Sequence, residues 1–293
     1  MSDVSRLRGS FVALVTPFDE RFDVDEGALR DLVEWHIEQG TDGIVPCGTT
    51  GESATLSHEE HKRVIELVVK AVDGRVPVIA GAGSNSTRES IELTRHAADV
   101  GADFVLSITP YYNKPTQDGL VRHFQEIADA VDIPLVLYNV PGRTSVNMLP
   151  AAVAAAAQHP RIVGIKEATA NLAQISEVIR STPPDFVVLS GDDFTVLPTL
   201  AVGGRGVISV TANLVPKLNA ELIRLWERGE VEKAREIHFR LLPLARACFL
   251  ETNPIPVKAG VARLRGISPR VRLPLLEASP KTREELERVL ATL

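Results

Sequence analysis

Short runs of β-branched and apolar residues alternate along this chain with stretches in which apolar positions recur every three or four residues. The repeat is roughly 25 to 30 residues over the first two thirds, the pattern of βα units on a parallel sheet. Eight apolar runs are present, at 11–15, 43–45, 76–80, 104–108, 135–138, 162–166, 186–190 and 206–210. Between them, Leu29, Leu32, Val33 and Ile37 mark one helical face, and Ser57 with Glu60 forms an S-x-x-E capping box ahead of Val64, Ile65, Leu67 and Val68. Eight strand-helix units predict an α/β fold of the closed (β/α)8 TIM-barrel type. An open doubly wound sheet usually has fewer strands and a phosphate-binding glycine motif after the first, which is missing here. The β pattern stops after Val210. A helix around Leu218 to Trp226 is expected to complete the barrel, and Gly229 is a natural boundary. The expected domains are therefore a catalytic barrel over 1–229 and a small all-helical domain over 230–293, the latter suited to packing or assembly.

Composition narrows the function classes. With 293 residues, 44% hydrophobic and 24% charged, the chain can bury a large core, and no apolar run approaches the ~20 residues that cross a bilayer. A net charge of -6 with both signs interspersed argues against nucleic acid or a membrane surface as partner. Cys47 and Cys248 make neither a disulfide framework nor a metal knuckle, and the amino terminus lacks the apolar core of a signal peptide. A cytoplasmic location and small-molecule partners are expected. None of the seven histidines ends a predicted strand, so no metal is expected at the barrel mouth.

In a (β/α)8 barrel the chemistry sits at the carboxyl ends of the strands. Lys166 closes the apolar run Ile162-Val163-Gly164-Ile165 and is one of eight lysines. Burial disfavours the charged form of an amine, and a neutral amine attacks carbonyls, so a Schiff-base role stands beside the plainer reading of a lysine reaching out to solvent. Gly48-Thr49-Thr50-Gly51-Glu52-Ser53 follows the second run; its amides and hydroxyls suit a carboxylate, with a solvated turn as the alternative. The chain has three tyrosines, Tyr111, Tyr112 and Tyr138, and all fall at or just past strand ends, where a phenol can relay protons. Arg143, in the Pro-Gly loop after the fifth run, offers a fork for a substrate carboxylate. Gly191 would let a ligand approach closely, while Asp192 and Asp193 read as a helix cap. Gly81-Ala82-Gly83 starts a dinucleotide motif but lacks its third glycine.

Together these residues resemble the pyruvate-dependent class I aldolase superfamily, over nearly the whole chain. Gly48-Thr49-Thr50-Gly51-Glu52, the Tyr138 strand end and Gly164-Ile165-Lys166 carry the superfamily likeness. Pro110-Tyr111-Tyr112-Asn113-Lys114-Pro115, Tyr138-Asn139-Val140-Pro141-Gly142-Arg143-Thr144 and Gly206-Val207-Ile208-Ser209-Val210 are similar to the dihydrodipicolinate synthase branch, a distinction resting mainly on Arg143. The resemblance implies an imine between Lys166 and pyruvate, with Thr49 and Thr50 on its carboxylate. It also implies proton transfer by Tyr138 through Thr49 and Tyr112, and L-aspartate 4-semialdehyde held by Arg143. Gly191 and Ile208 match backbone contacts near pyruvate, and no cofactor is implied. A sugar-acid aldolase sharing the lysine and tyrosine is the alternative. Ser53, Ala54, His58, His61, Asn85, Glu89 and Tyr111 match an inhibitory lysine site at a dimer interface, although helix caps and solvated first turns would also account for them. A homotetramer of two tight dimers is implied, with Tyr112 reaching into a neighbouring subunit's site.

Overall fold

Each apolar run forms a strand in the computed structural model, which describes residues 3–293. The strands are β1 (Gly9–Ala13), β2 (Gly43–Val45), β3 (Ile79–Gly81), β4 (Phe104–Ile108), β5 (Leu135–Asn139), β6 (Ile162–Glu167), β7 (Val187–Ser190) and β8 (Gly206–Ser209). The helices are α1 (Glu26–Glu38), α2 (His58–Val72), α3 (Thr87–Asp99), α4 (Gln117–Ala130), α5 (Pro141–Thr144), α6 (Pro150–Ala156), α7 (Leu172–Ser181), α8 (Val196–Ala201), α9 (Pro216–Glu227), α10 (Val231–Ala247), α11 (Ile255–Arg265) and α12 (Pro280–Leu290). The strands are parallel and ordered β2-β1-β8-β7-β6-β5-β4-β3. This is the (β/α)8 barrel class with extra helices at the carboxyl end. Strands of such a sheet are covered on both faces, which is why they read as continuous apolar runs.

Three strands begin elsewhere than their apolar runs, for reasons of hydrogen bonding; β7 starts one residue late, at Val187, because the Phe186 amide turns back to Pro183 O (3.0 Å). The run at 11–15 becomes β1 two residues earlier because the Gly9 amide donates to Arg205 O (2.9 Å), while the Val15 amide leaves the ladder for Asn213 Oδ1 (3.1 Å). The run at 76–80 becomes β3 only at Ile79. Pro77 has no N–H to give, and the Val78 amide is taken by Asp103 Oδ2 at 2.9 Å.

The chain divides into two compact units, Met1–Gly9 with Pro77–Ile208, and Ser10–Val76 with Ser209–Leu293. In the first, β3 to β8 run in register from Ile79↔Phe104 to Ser190↔Val207, and α4, α6 and α7 pack successively. Gly9 belongs to this unit and abuts β8 so closely that a Cβ on Gly206 would lie 2.0 Å from its carbonyl oxygen. In the second unit β1 pairs with β2, α1 packs on α2, and α10 packs on α9 and α12. The capping box of α2 forms as predicted, with Ser57 and Glu60 bonded reciprocally, and Asp25 caps α1 by accepting from the Ala28 amide. Among the described residues no helix is long and apolar enough to cross a membrane.

Burial lowers three histidines, His36, His123 and His238, and so contributes to the acid response of this fold. Burial, with a smaller contribution from Arg265, holds His36 down at about 3, and burial holds His123 at about 4. Both are below the ~6.5 of an unfolded histidine, so protons bind the unfolded chain preferentially at low pH. Their stabilisation is complete above ~6.5 and is lost as pH falls toward the folded values, at about 1.4 kcal/mol per pH unit for each ring. Denaturant unfolding between pH 6 and 4.5 should therefore steepen with acid, and His36→Leu should reduce that slope by about one proton. An unchanged slope would place the acid sensitivity elsewhere.

Candidate functional site

In the first unit, β5 and β6 are paired so that Tyr138 lies opposite Lys166 and Asn139 opposite Glu167. Side chains alternate across a strand, so the first pair faces one side of the sheet and the second pair the other. Lys166 is 7% exposed, and its Nζ sits 4.2 Å from the centre of the Tyr138 ring. An amine and a phenol are thereby held together at the strand ends. Gly191 explains how the lysine lies so close to the next strand. Its amide donates to Glu167 O (2.8 Å), and a Cβ there would fall 2.7 Å from Ala168 Cβ and 3.0 and 3.1 Å from Cγ and Cε of Lys166. Ile208 is buried in β8. Asp192 caps the short turn that follows β7, accepting from the Phe194 amide.

The opposite face of the same two strands is a buried polar network, of whose members sequence reasoning had named only Asn139, within a motif. Glu167 accepts from the Thr169 amide (3.0 Å), from Asn139 Nδ2 (3.1 Å) and from Gln174 Nε2 (3.5 Å). Asn139 Oδ1 accepts from the Met148 amide, and Asn147 and Gln174 exchange bonds through their side-chain amides. Burial raises the Glu167 carboxyl above its ordinary value despite these donors. The network clamps the two dipeptides Tyr138-Asn139 and Lys166-Glu167 against each other.

Arg143 is exposed on α5, immediately after β5, with Pro141 at the first helical position. Thr144 beside it is buried, bonded to Thr109 Oγ1 and to Val146 O, and the Thr109 amide donates to Tyr138 O (2.9 Å). Tyr111 and Tyr112 follow Thr109 on an exposed loop. Tyr112 has a left-handed backbone (φ 71°) and is 89% exposed. Asn85 Nδ2 donates to Tyr111 O (3.2 Å), and Glu89 bonds Ser84 at the start of α3, so this unit brings Asn85, Glu89 and Tyr111 into one neighbourhood.

In the second unit, Gly48 to Ser53 winds into consecutive turns after β2. Gly48 O accepts from the Gly51 and Ser53 amides, Thr49 O from the Glu52 amide, and Gly51 O from Thr16 Oγ1. None of these bonds uses the amides of Thr49 or Thr50. Thr49 is half-buried and Thr50 buried. Ser53 and Ala54 open a 3-10 turn, His58 starts α2 at its exposed rim, and His61 is buried one turn on, its carbonyl receiving Cys47 Sγ–H at 3.5 Å. Cys47 is fully enclosed, and burial pushes its thiol far up, so it packs as a small apolar side chain.

The loop is anchored by residues that sequence reasoning missed. Lys258, 0% exposed in its side chain, donates to Glu52 Oε1 at 2.6 Å, and Glu52 is 1% exposed. Glu52 Oε2 accepts the Arg272 amide (2.9 Å), while the Arg272 guanidinium reaches Glu60, Thr55 O and Phe22 O. Phe18 receives Lys258 at 3.9 Å and Arg272 at 4.4 Å on its ring. Burial outweighs the pull of Glu52 and lowers Lys258 to about 8. The available signal was a lone lysine inside Ile255-Pro256-Val257-Lys258-Ala259-Gly260-Val261, where every neighbour is apolar.

A (β/α)8 chain with a buried lysine packed on a tyrosine at paired strand ends has the form of an imine-forming aldolase. The model of the dihydrodipicolinate synthetase family matches residues 6–293. The chain is 59% identical over 283 residues to the 4-hydroxy-tetrahydrodipicolinate synthase of Thermodesulfovibrio yellowstonii, covering 97% of each chain. Among solved structures it is similar to a dihydrodipicolinate synthase of Acinetobacter baumannii complexed with pyruvate (45% identity, TM-score 0.95, 97% and 98% covered). It is also similar to the lysine-bound enzyme of Cyanidioschyzon merolae (41%, TM-score 0.94, 98% of each). This chain belongs to the dihydrodipicolinate synthetase family.

The contact of Gly191 with the stem of Lys166 makes a prediction. Gly191→Ala should displace the lysine and slow borohydride trapping of an α-keto acid on it by about tenfold or more, equivalent to ~1.4 kcal/mol in the activation barrier. Intact-mass kinetics of trapping would read this directly, and an unchanged rate would mean the stem has room to move.

Proposed function

We propose that this chain condenses pyruvate with L-aspartate 4-semialdehyde to give 4-hydroxy-tetrahydrodipicolinate, on the diaminopimelate route to lysine. The observation that carries the reading is Lys166, buried and packed on Tyr138 at the ends of paired strands in a chain of this family. The Lys166 amine adds to the keto carbon of pyruvate and water leaves, forming an iminium that draws electrons from the neighbouring methyl group. Loss of a methyl proton gives an enamine, whose carbon attacks the aldehyde. The substrate's own amine then displaces Lys166 and closes the ring. No cofactor enters this sequence of bonds.

Residue roles follow the family likeness. Thr49 and Thr50 take the pyruvate carboxylate; the uncommitted amides of their loop suit that task. Tyr138 moves protons through Thr49 and Tyr112. Arg143, exposed next to the strand end, orients the semialdehyde carboxylate, and Gly191 and Ile208 present backbone to pyruvate. Tyr112, almost wholly exposed in one chain, completes the site of a neighbouring subunit within a homotetramer built as a dimer of dimers. The reaction is cytoplasmic. Inhibition by lysine uses Ser53, Ala54, His58, His61, Asn85, Glu89 and Tyr111, a reading supported by the lysine-bound relative and by the bond between Asn85 and Tyr111.

Lys166→Ala should abolish borohydride capture of pyruvate, and labelling that persists at another position by peptide mass would show a different nucleophile. Arg143→Ala should raise KM for the semialdehyde about ten- to hundredfold, the loss of a charge-assisted hydrogen bond of ~1.5–3 kcal/mol, while leaving KM for pyruvate within about twofold. Equal effects on both substrates would refute its role. Captured pyruvate without turnover of the semialdehyde would redirect the search to sugar-acid aldehydes. Added L-lysine should lower turnover, and Glu89→Ala should relieve the inhibition; a variant as sensitive as the parent would remove Glu89 from the regulatory site.

A further inference from the structure

The carboxylate loop and the start of α11 are joined by two side-chain contacts two residues apart on the loop. Asn253 Nδ2 donates to Thr50 Oγ1 at 3.0 Å, and Lys258 Nζ donates to Glu52 Oε1 at 2.6 Å. All four side chains are buried. A hydroxyl has one proton to give and two lone pairs. When Asn253 fills a lone pair of Thr50, the hydroxyl cannot spend its own proton on that neighbour and points it elsewhere. A hydroxyl pre-aimed as a donor suits a carboxylate, which only accepts. The neighbouring Lys258–Glu52–Arg272 cluster anchors the loop that carries Thr50, with Glu52 bonded at both oxygens and its partner cations on the Phe18 ring.

We propose that Asn253 is a positioning residue for pyruvate binding: it acts through Thr50, holding that hydroxyl as a donor toward the substrate carboxylate. The proposal rests on the reading that the Thr49-Thr50 loop receives pyruvate. It concerns the binding of pyruvate, so its effect is expected on pyruvate affinity more than on kcat.

The test is a cycle of Thr50→Val, Asn253→Ala and the double variant in the full-length enzyme, reading KM for pyruvate, kcat, and the pyruvate concentration that half-saturates borohydride trapping on Lys166. Thr50→Val tests the carboxylate reading by itself: if it leaves the pyruvate dependence unchanged, that reading fails. Asn253→Ala is expected to raise KM and half-saturation for pyruvate about tenfold with kcat within about twofold, and to add almost nothing in the Thr50→Val background. A Thr50→Val effect without an Asn253→Ala effect, or full additivity of the two, would overturn the positioning role alone. Asn253→Asp covers the case of a poorly folded alanine variant. It keeps the shape but accepts the Thr50 proton, and should weaken pyruvate binding more than Asn253→Ala; equal or tighter binding would also overturn the proposal.

Discussion

Parallel register between β5 and β6 is the constraint on which the first unit's chemistry depends. Because Tyr138 is opposite Lys166, and Asn139 opposite Glu167, one pairing decision places an amine against a phenol on one face and a carboxylate against an amide on the other. A slip of one residue would exchange the faces and leave Lys166 among the helices. The polar network of Asn139, Asn147, Glu167 and Gln174 makes that slip costly, since it would strand buried hydrogen-bonding groups at about 1–3 kcal/mol each. The glycine at 191 then lets the lysine stem lie flat against the next strand.

The second unit solves a different problem, holding a short loop still without a regular element to build it on. Glu52 has a left-handed backbone (φ 56°), a conformation that costs a non-glycine residue ~1 kcal/mol or more. Its carboxylate is held at both oxygens by groups from α11 and the segment that follows it. The buried pair of Glu52 and Lys258 is joined by the partly exposed pair of Arg272 and Glu60, so that two acids and two bases balance in charge. Such a cluster adds less to net stability than to uniqueness of geometry: removing one partner would leave a buried charge, so the loop has one arrangement rather than several. The helices at the carboxyl end therefore bear on the loop at 48–53 as well as on packing.

Much of this architecture is written locally. Apolar runs and three-or-four-residue periodicities place all eight strands and the helices α1, α2 and α9 to α12, because alternation and helical repeat are properties of adjacent residues. The larger shifts, at β1 and β3, came where a distant acceptor or a side-chain carboxylate captured an amide. Lys166 and Tyr138 stood out because a polar group ending an apolar strand is conspicuous in the sequence itself. Lys258 was passed over: on a helix, a lysine beside apolar neighbours reads as one that reaches solvent, and only packing shows that it does not.

The sequence by itself determined the order and type of elements and singled out Lys166, a lysine that closes an apolar strand. Tertiary structure decided which groups meet. Thr50 and Asn253 are 203 positions apart, and Glu52 and Lys258 are 206 apart. Nothing in local periodicity encodes such a pair, because its energy exists only once both partners have left water and face each other. The sequence can name a residue able to donate or accept, but the fold alone supplies the distance and the burial that decide whether it does.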